Sequence, residues 1–147
     1  MFGRFLEDRT RFHRLYSRSP SIRDRMSPYI PSFPETGASR EHWGRAFWPM
    51  LHIMSLYYPR HPTAQEQVDM IHFLNAFTNI LPCNHCKKHY YDFIYKHDLH
   101  DATTSRDKLF CFLVDLHNQV NRRNNKQMMT YQEAFQMYSM KATEPKG

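Results

Sequence analysis

The chain has 147 residues, 41% of them hydrophobic and 15% aromatic, with 20 Lys and Arg against 14 Asp and Glu for a net charge of +6. That length suits one domain with a modest core, and four glycines beside nine methionines favour packed helices over disorder or a turn-rich β fold. Basic residues are mixed with acids, no apolar run nears the roughly 20 residues of a membrane span, and three cysteines cannot make a multi-bridge framework, so nucleic-acid binding, membrane insertion and a disulfide scaffold are disfavoured.

Residues 1–38 read as an extension apart from the core. Arg4, Arg9, Arg11, Arg14, Arg18, Arg23 and Arg25 stud a segment that also carries Glu7, Asp8 and Asp24, and Pro20, Pro28, Pro31 and Pro34 make an extended linker. There is no signal-peptide h-region, and the acids count against a mitochondrial presequence, so a surface-docked or partner-binding arm is expected. The core is expected over 39–140, with a polar tail at 141–147.

The first core helix is expected from about Ser39 to Tyr58, with Gly44, Trp48 and His52 recurring every four residues. A gap, an aromatic and a polar ring on one stripe suit either a flat ligand or ordinary core packing. Pro49 implies that this helix kinks or begins later. Thr63 and Glu66 form a capping-box pattern for a helix over 64–80, whose apolar face is Met70, Ile71, Phe73, Leu74, Phe77, Ile80 and Leu81.

Pro82 is expected to open the third helix, placing Cys83 and Cys86 in its first turn and carrying Tyr90, Tyr91, Phe93, Ile94 and Tyr95 into the core. Two cysteines three apart can close a disulfide and open it again, and free N–H groups at a helix start favour a thiolate. The competing reading is a zinc site of Cys83, Cys86 and His89 with a fourth ligand from His97 or His100. Residues 97–104 read as a loop. A helix over 105–124 buries Leu109, Phe110, Phe112, Leu113, Leu116 and Val120, and sets His117 and Asn121 on one face, toward a heteroaromatic ligand or a side-chain network. Arg122, Arg123 and Lys126 suit a pyrophosphate or simply the helix dipole. A last helix near 130–140 carries Tyr131, Phe135 and Tyr138.

The segments Trp43-Gly44-Arg45-Ala46-Phe47-Trp48 with Leu51-His52, Leu81-Pro82-Cys83-Asn84-His85-Cys86, and Leu116-His117-Asn118-Gln119-Val120-Asn121 resemble, in this order, the Erv/ALR family of FAD-linked sulfhydryl oxidases. The resemblance runs from about residue 42 to 138 and is greatest to members encoded by large DNA viruses. It implies an all-α fold, a four-helix bundle with a short fifth helix, holding FAD within the bundle. It implies Cys86 as the sulfur next to the flavin and Cys83 as the interchange sulfur. Gly44, Arg45, Trp48, His52 and Tyr57 map onto the family's first cofactor segment, and His117, Asn118, Val120, Asn121 and Lys126 onto the second. Tyr138 falls where the family usually has a tryptophan. The implied activity is thiol oxidation with O2 as acceptor and H2O2 as product, and a homodimer is implied as well.

Two departures shape the expectation. Neither 1–38 nor 139–147 holds a cysteine for a shuttle dithiol, so an outside carrier, thioredoxin-like or another dithiol protein, is expected as substrate. Val114 and Tyr131 stand where the family has a structural disulfide, and Cys111 reads as a buried hydrophobe. Both departures suit a reducing compartment, the cytoplasm of an infected cell or a virion, with the mitochondrial intermembrane space as the alternative.

Overall fold

The computed structural model describes residues 39–142, so the expectations for 1–38 and for the tail beyond 142 lie outside the described residues. Helix α1 (Arg40–Tyr57) starts where the Ser39 side chain accepts a hydrogen bond from the His42 N–H at 3.3 Å, satisfying one of the free donors of the first turn. Pro49 lies inside α1 and neither ends it nor delays its start. The helix continues because the ring removes only one backbone bond, while Leu51, His52 and Ser55 bury the following turns.

Helix α2 (Ala64–Ile80) has both arms of its capping box: the Thr63 N–H donates to Glu66 Oε2 at 2.7 Å, and the Glu66 N–H to Thr63 Oγ1 at 3.2 Å. Helix α3 (Asn84–Lys96) begins later than its proline suggests. Leu81, forced extended by the proline after it, closes α2, and Cys83 is the N-cap of α3 rather than a member of its first turn. The stretch 97–104, expected as a loop, contains the one-turn helix α4 (Leu99–Ala102), started by Asp98 accepting from the His100 and Asp101 N–H groups. Helix α5 (Arg106–Arg123) is capped by Ser105, and α6 (Tyr131–Ala142) by a reciprocal Thr130–Glu133 pair that the sequence reading passed over.

Helices α1, α2, α3 and α5 form the bundle. Helix α1 packs on α5 and α6, α2 on α3 and α4, and α5 also on α4 and α6. The main core joins Leu51, Leu74, Phe93, Ile94, Leu109, Phe112, Leu113 and Leu116, and a smaller cluster of Phe110, Val114, Ala134 and Tyr138 seats α6. Edge-on aromatic contacts link Trp43 to Phe47, Phe47 to Phe77 and Phe77 to Phe73, tying the start of α1 to α2. Three expected core residues are exposed: Ile80, Tyr91 and Tyr95. Tyr91 and Tyr95 lie one position round the helix from the buried row of Tyr90, Phe93 and Ile94, and they stack on each other instead.

Hydrogen bonds, and among the described residues no disulfide, hold the junction between α5 and α6. Asn118 donates through Nδ2 to the Met129 carbonyl at 2.7 Å and accepts from the Met129 N–H at 2.9 Å, while the Tyr131 hydroxyl donates to Asp115 at 2.9 Å. Val114 is fully buried. The Cys111 thiol is half-buried, its pKa pushed up by burial and then by Asp115 and Asp107, which makes it a poor thiolate.

Candidate active site

Cys83 and Cys86 form a disulfide, with Cα atoms 5.2 Å apart. The N-cap role of Cys83 explains the geometry: its sulfur accepts from the Cys86 N–H at 3.2 Å, so the pair straddles the helix start and the backbone donors there favour negative charge on sulfur. No acidic residue stands in the first turn of α3, and Lys87 and Lys88 follow it. Among the described residues no group of three His, Cys, Asp or Glu is arranged to hold a metal ion.

Cys86 lines a cavity of about 1000 Å³, while Cys83 is not among its lining residues. The walls come from α1 (Trp43, Gly44, Arg45, Trp48), α3 (Cys86, His89, Tyr90), α5 and the turn after it (His117, Val120, Asn121, Lys126), and Tyr138 of α6. The packing of α1 on α5 and α6 thus brings residues from the first and last parts of the described chain to one cavity. Of the residues assigned to a cofactor by resemblance, Gly44, Arg45, Trp48, His117, Val120, Asn121, Lys126 and Tyr138 line this cavity. Three do not. His52 is wholly buried behind His117, Asn118 is turned to the Met129 backbone, and Tyr57 is 65% exposed at the end of α1.

Four rings of the site stack in two pairs: Trp48 on His117, centroids 4.0 Å apart and 4° from parallel, and His52 on Tyr138, 4.1 Å apart. His52 Nε2 and His117 Nδ1 share a hydrogen bond at 3.0 Å, so one ring donates and the other accepts, which fixes His117 relative to the cavity. Burial first, then His117, lowers the His52 pKa to about 3; burial first, then Lys126, lowers that of His117 to about 4. Both rings are therefore neutral at pH 7. Because the folded values lie below the ordinary 6.5, the unfolded chain binds more protons under that pH, and stability falls as the pH drops from 6.5 toward 4. For His52 alone the loss at pH 5 is on the order of 2 kcal/mol. Urea titrations at pH 7 and pH 5 check this, with a lower midpoint expected at pH 5 and a smaller pH effect in His52→Asn.

The cavity carries marks of a ligand. Trp43 Nε1 and His89 Nδ1, both on its wall, are buried without a hydrogen-bond partner, as is His52 Nδ1 behind it. Buried polar nitrogens are rarely left so. Arg40, Arg45, Arg123 and Lys126 supply cationic charge among the lining residues, against flat aromatic surfaces from Trp48 and His117. A Cβ added to Gly44 would meet only Trp48 Cδ1, at 3.9 Å, so protein packing does not require the glycine. The volume is at the upper end of the roughly 300–1,000 Å³ usual for cofactor pockets. An elongated ligand with a planar heteroaromatic part and an anionic part fits these groups, and FAD has that chemistry.

The Erv1 / Alr family model matches residues 45–140. The chain belongs to the Erv1/Alr family. It is 38% identical over 96 residues to protein 096R of Invertebrate iridescent virus 3, covering 65% of each chain. It is 36% identical over 86 residues to the mitochondrial FAD-linked sulfhydryl oxidase ERV1 of Saccharomyces cerevisiae, covering 58% of this chain and 44% of that one. In structure it matches the FAD binding domain of Erv1 from Saccharomyces cerevisiae with a TM-score of 0.66 at 30% identity, over 70% of this chain and 96% of that one. The matched residues include α1 from Arg45 onward, the dithiol helix, α5 and most of α6, while the wall residues Arg40, Trp43 and Gly44 precede them.

The sequence reading missed part of the wall. His85 enters the sequence reading only as part of the Cys-x-x-Cys motif, with no place in a binding site, and His89 only as a metal ligand; yet both line the cavity beside Cys86, and their nitrogens lie 2.8 Å apart. Their i, i+4 spacing on the dithiol helix was the available signal. Arg40 gave no signal of its own, since its place on the wall depends on α5, where it donates to Asn124 at 3.4 Å.

Proposed function

We propose that the protein is an FAD-dependent thiol oxidase that forms disulfides in a dithiol partner protein. The observation that carries this reading is a disulfide with one sulfur on the wall of a cofactor-sized cavity and the other off it. A partner thiolate attacks Cys83 Sγ; the Cys83–Cys86 bond breaks, Cys86 leaves as thiolate, and a mixed disulfide joins the partner to Cys83. The partner's second thiolate then attacks its own sulfur in that mixed disulfide, releasing the oxidised partner and leaving Cys83 and Cys86 reduced. When bound, FAD supplies a two-electron acceptor that is reoxidised by O2 with formation of H2O2. The chain's own residues hold the reacting parts in place and keep water out. Trp48 and His117 offer a flat surface, Arg45, Arg123 and Lys126 balance negative charge, and the helix start lowers the energy of the Cys86 thiolate.

The viral relative supports the cytoplasm of an infected cell or the virion as the protein's place, with a thioredoxin-like carrier as the partner there. A zinc module built on Cys83, Cys86 and His89 is the alternative reading, and the bonding of the two sulfurs to each other speaks against it. Purified protein is expected to be yellow with bound flavin and to consume O2 when given a reduced dithiol protein. A colourless chain that takes up no added FAD, or a yellow one that oxidises no dithiol, overturns the proposal.

A further inference from the structure

The dithiol helix carries a second row of side chains, away from the cavity. Cys83, Lys87, Tyr91 and Tyr95 follow one another at four-residue intervals, and none of them lines the cavity. The Lys87 N–H donates to the Cys83 carbonyl at 2.9 Å, so the row begins at the cap, with the lysine one turn beyond the cysteine and its neighbour on the helix surface. Among the described residues the ion pair on α3 joins Lys88 to Asp92, and Lys87 takes part in none. Tyr91 and Tyr95 are 49% and 78% exposed and stack on each other, ring centroids 5.7 Å apart and 18° from parallel. Both border a groove of about 310 Å³, which Ile71 and Asn75 of α2 and Leu99 of α4 also line. Stacked tyrosines left in solvent offer apolar area at little cost in side-chain freedom, the kind of surface that protein interfaces are centred on.

We infer that this row is the docking surface for a protein dithiol: the partner's attacking thiolate meets Cys83 beside Lys87, while an apolar side chain of the same partner enters the groove against Tyr91 and Tyr95. The inference rests on the thiol oxidase reading and says what kind of thiol that site takes. At 1.5 Å of rise per residue, Tyr95 stands about 18 Å along α3 from Cys83. A tripeptide thiol spans at most about 11 Å, so only a protein or a longer peptide touches both ends. The lysine acts on the approaching anion, because a thiolate is drawn to the ammonium and a protonated thiol is not. The same charge favours carboxylates beside the partner's cysteine. A second copy of this chain is the poorer occupant, since a lasting partner on the row would cover the sulfur that substrate has to reach.

The test compares a protein dithiol with a small one, by oxygen uptake of the full-length flavoprotein with reduced thioredoxin and with dithiothreitol. In Tyr91→Ala combined with Tyr95→Ala, the KM for thioredoxin is expected to rise about tenfold with kcat unchanged, and both constants for dithiothreitol to stay within about twofold of the parent. Lys87→Glu is expected to lower kcat/KM about tenfold for either thiol at low salt, with the loss shrinking as salt is added, and it carries the test if the tyrosine variant fails to fold. An unchanged thioredoxin KM in the tyrosine variant, an equal rise for dithiothreitol, or an unaltered rate in Lys87→Glu overturns the docking surface. So does a tyrosine variant that passes from dimer to monomer in sedimentation velocity, which gives the face to a second copy. A parent that turns over dithiothreitol but not thioredoxin keeps the oxidase reading and loses the surface; a yellow protein that turns over neither thiol overturns the oxidase reading itself.

Discussion

Cys86→Ser is expected to abolish dithiol-dependent O2 consumption, by about a thousandfold or more, while leaving the protein folded and yellow. The loss is that large because no other group can take over. Turnover requires a sulfur on the cavity wall that both leaves from the disulfide and carries electrons back, and Cys86 alone lines the cavity. The helix start does not depend on it, since α3 is capped by Cys83 and packed through Tyr90, Phe93 and Ile94. Cys83→Ser should lose as much activity for a different reason: the partner then has no disulfide to attack, although Cys86 still faces the cavity. Cys111→Ala is the control, expected to retain the parent rate, because Cys111 lies outside the cavity with its thiol held protonated. The measurement is oxygen uptake with a reduced dithiol protein, alongside flavin absorbance and circular dichroism. Either serine variant keeping more than about a tenth of the parent rate would rule out the proposed electron path.

Gly44→Leu should separate folding from cofactor retention. Gly44 is inside α1, where a residue with a side chain is favoured over glycine by about 0.5–1 kcal/mol, and the protein itself leaves room for a Cβ. Without ligand, the variant is thus expected to unfold at an equal or higher urea concentration than the parent. The added side chain projects into the cavity, so flavin content after purification should fall at least about tenfold. Gly44→Ala should fall between the two, with more helix stability and only partial loss of colour. A fully yellow Gly44→Leu would mean that the ligand does not approach this stretch of α1.

His52 illustrates how the site divides into a surface and its support. Its spacing from Gly44 and Trp48 suggested contact with a ligand, but its ring sits behind the wall, stacked on Tyr138 and bonded to His117. Asn118, next in sequence to a lining histidine, serves the α5–α6 junction through two bonds to the Met129 backbone, beside the place where the family resemblance leads one to look for a disulfide. Held by hydrogen bonds and a buried Val114, this region does not depend on the redox state of its surroundings.

What the sequence determined by itself were the features written in short-range patterns. The Thr63–Glu66 box set the start of α2, the polar caps Ser39 and Ser105 set those of α1 and α5, and the Cys-x-x-Cys spacing on a helix start brought two sulfurs within bonding distance. Each follows from local backbone geometry, which a few neighbouring residues fix. Only the tertiary structure decided which face of each helix met which partner. The packing of α1 on α5 and α6 brought Trp48 onto His117 and His52 onto Tyr138, and the packing of α3 on α2 left Tyr91 and Tyr95 facing outward. Side chains of equal hydropathy can occupy either side of a helix boundary, and burial is a property of the neighbours that long-range packing supplies, so no local pattern could have chosen among them.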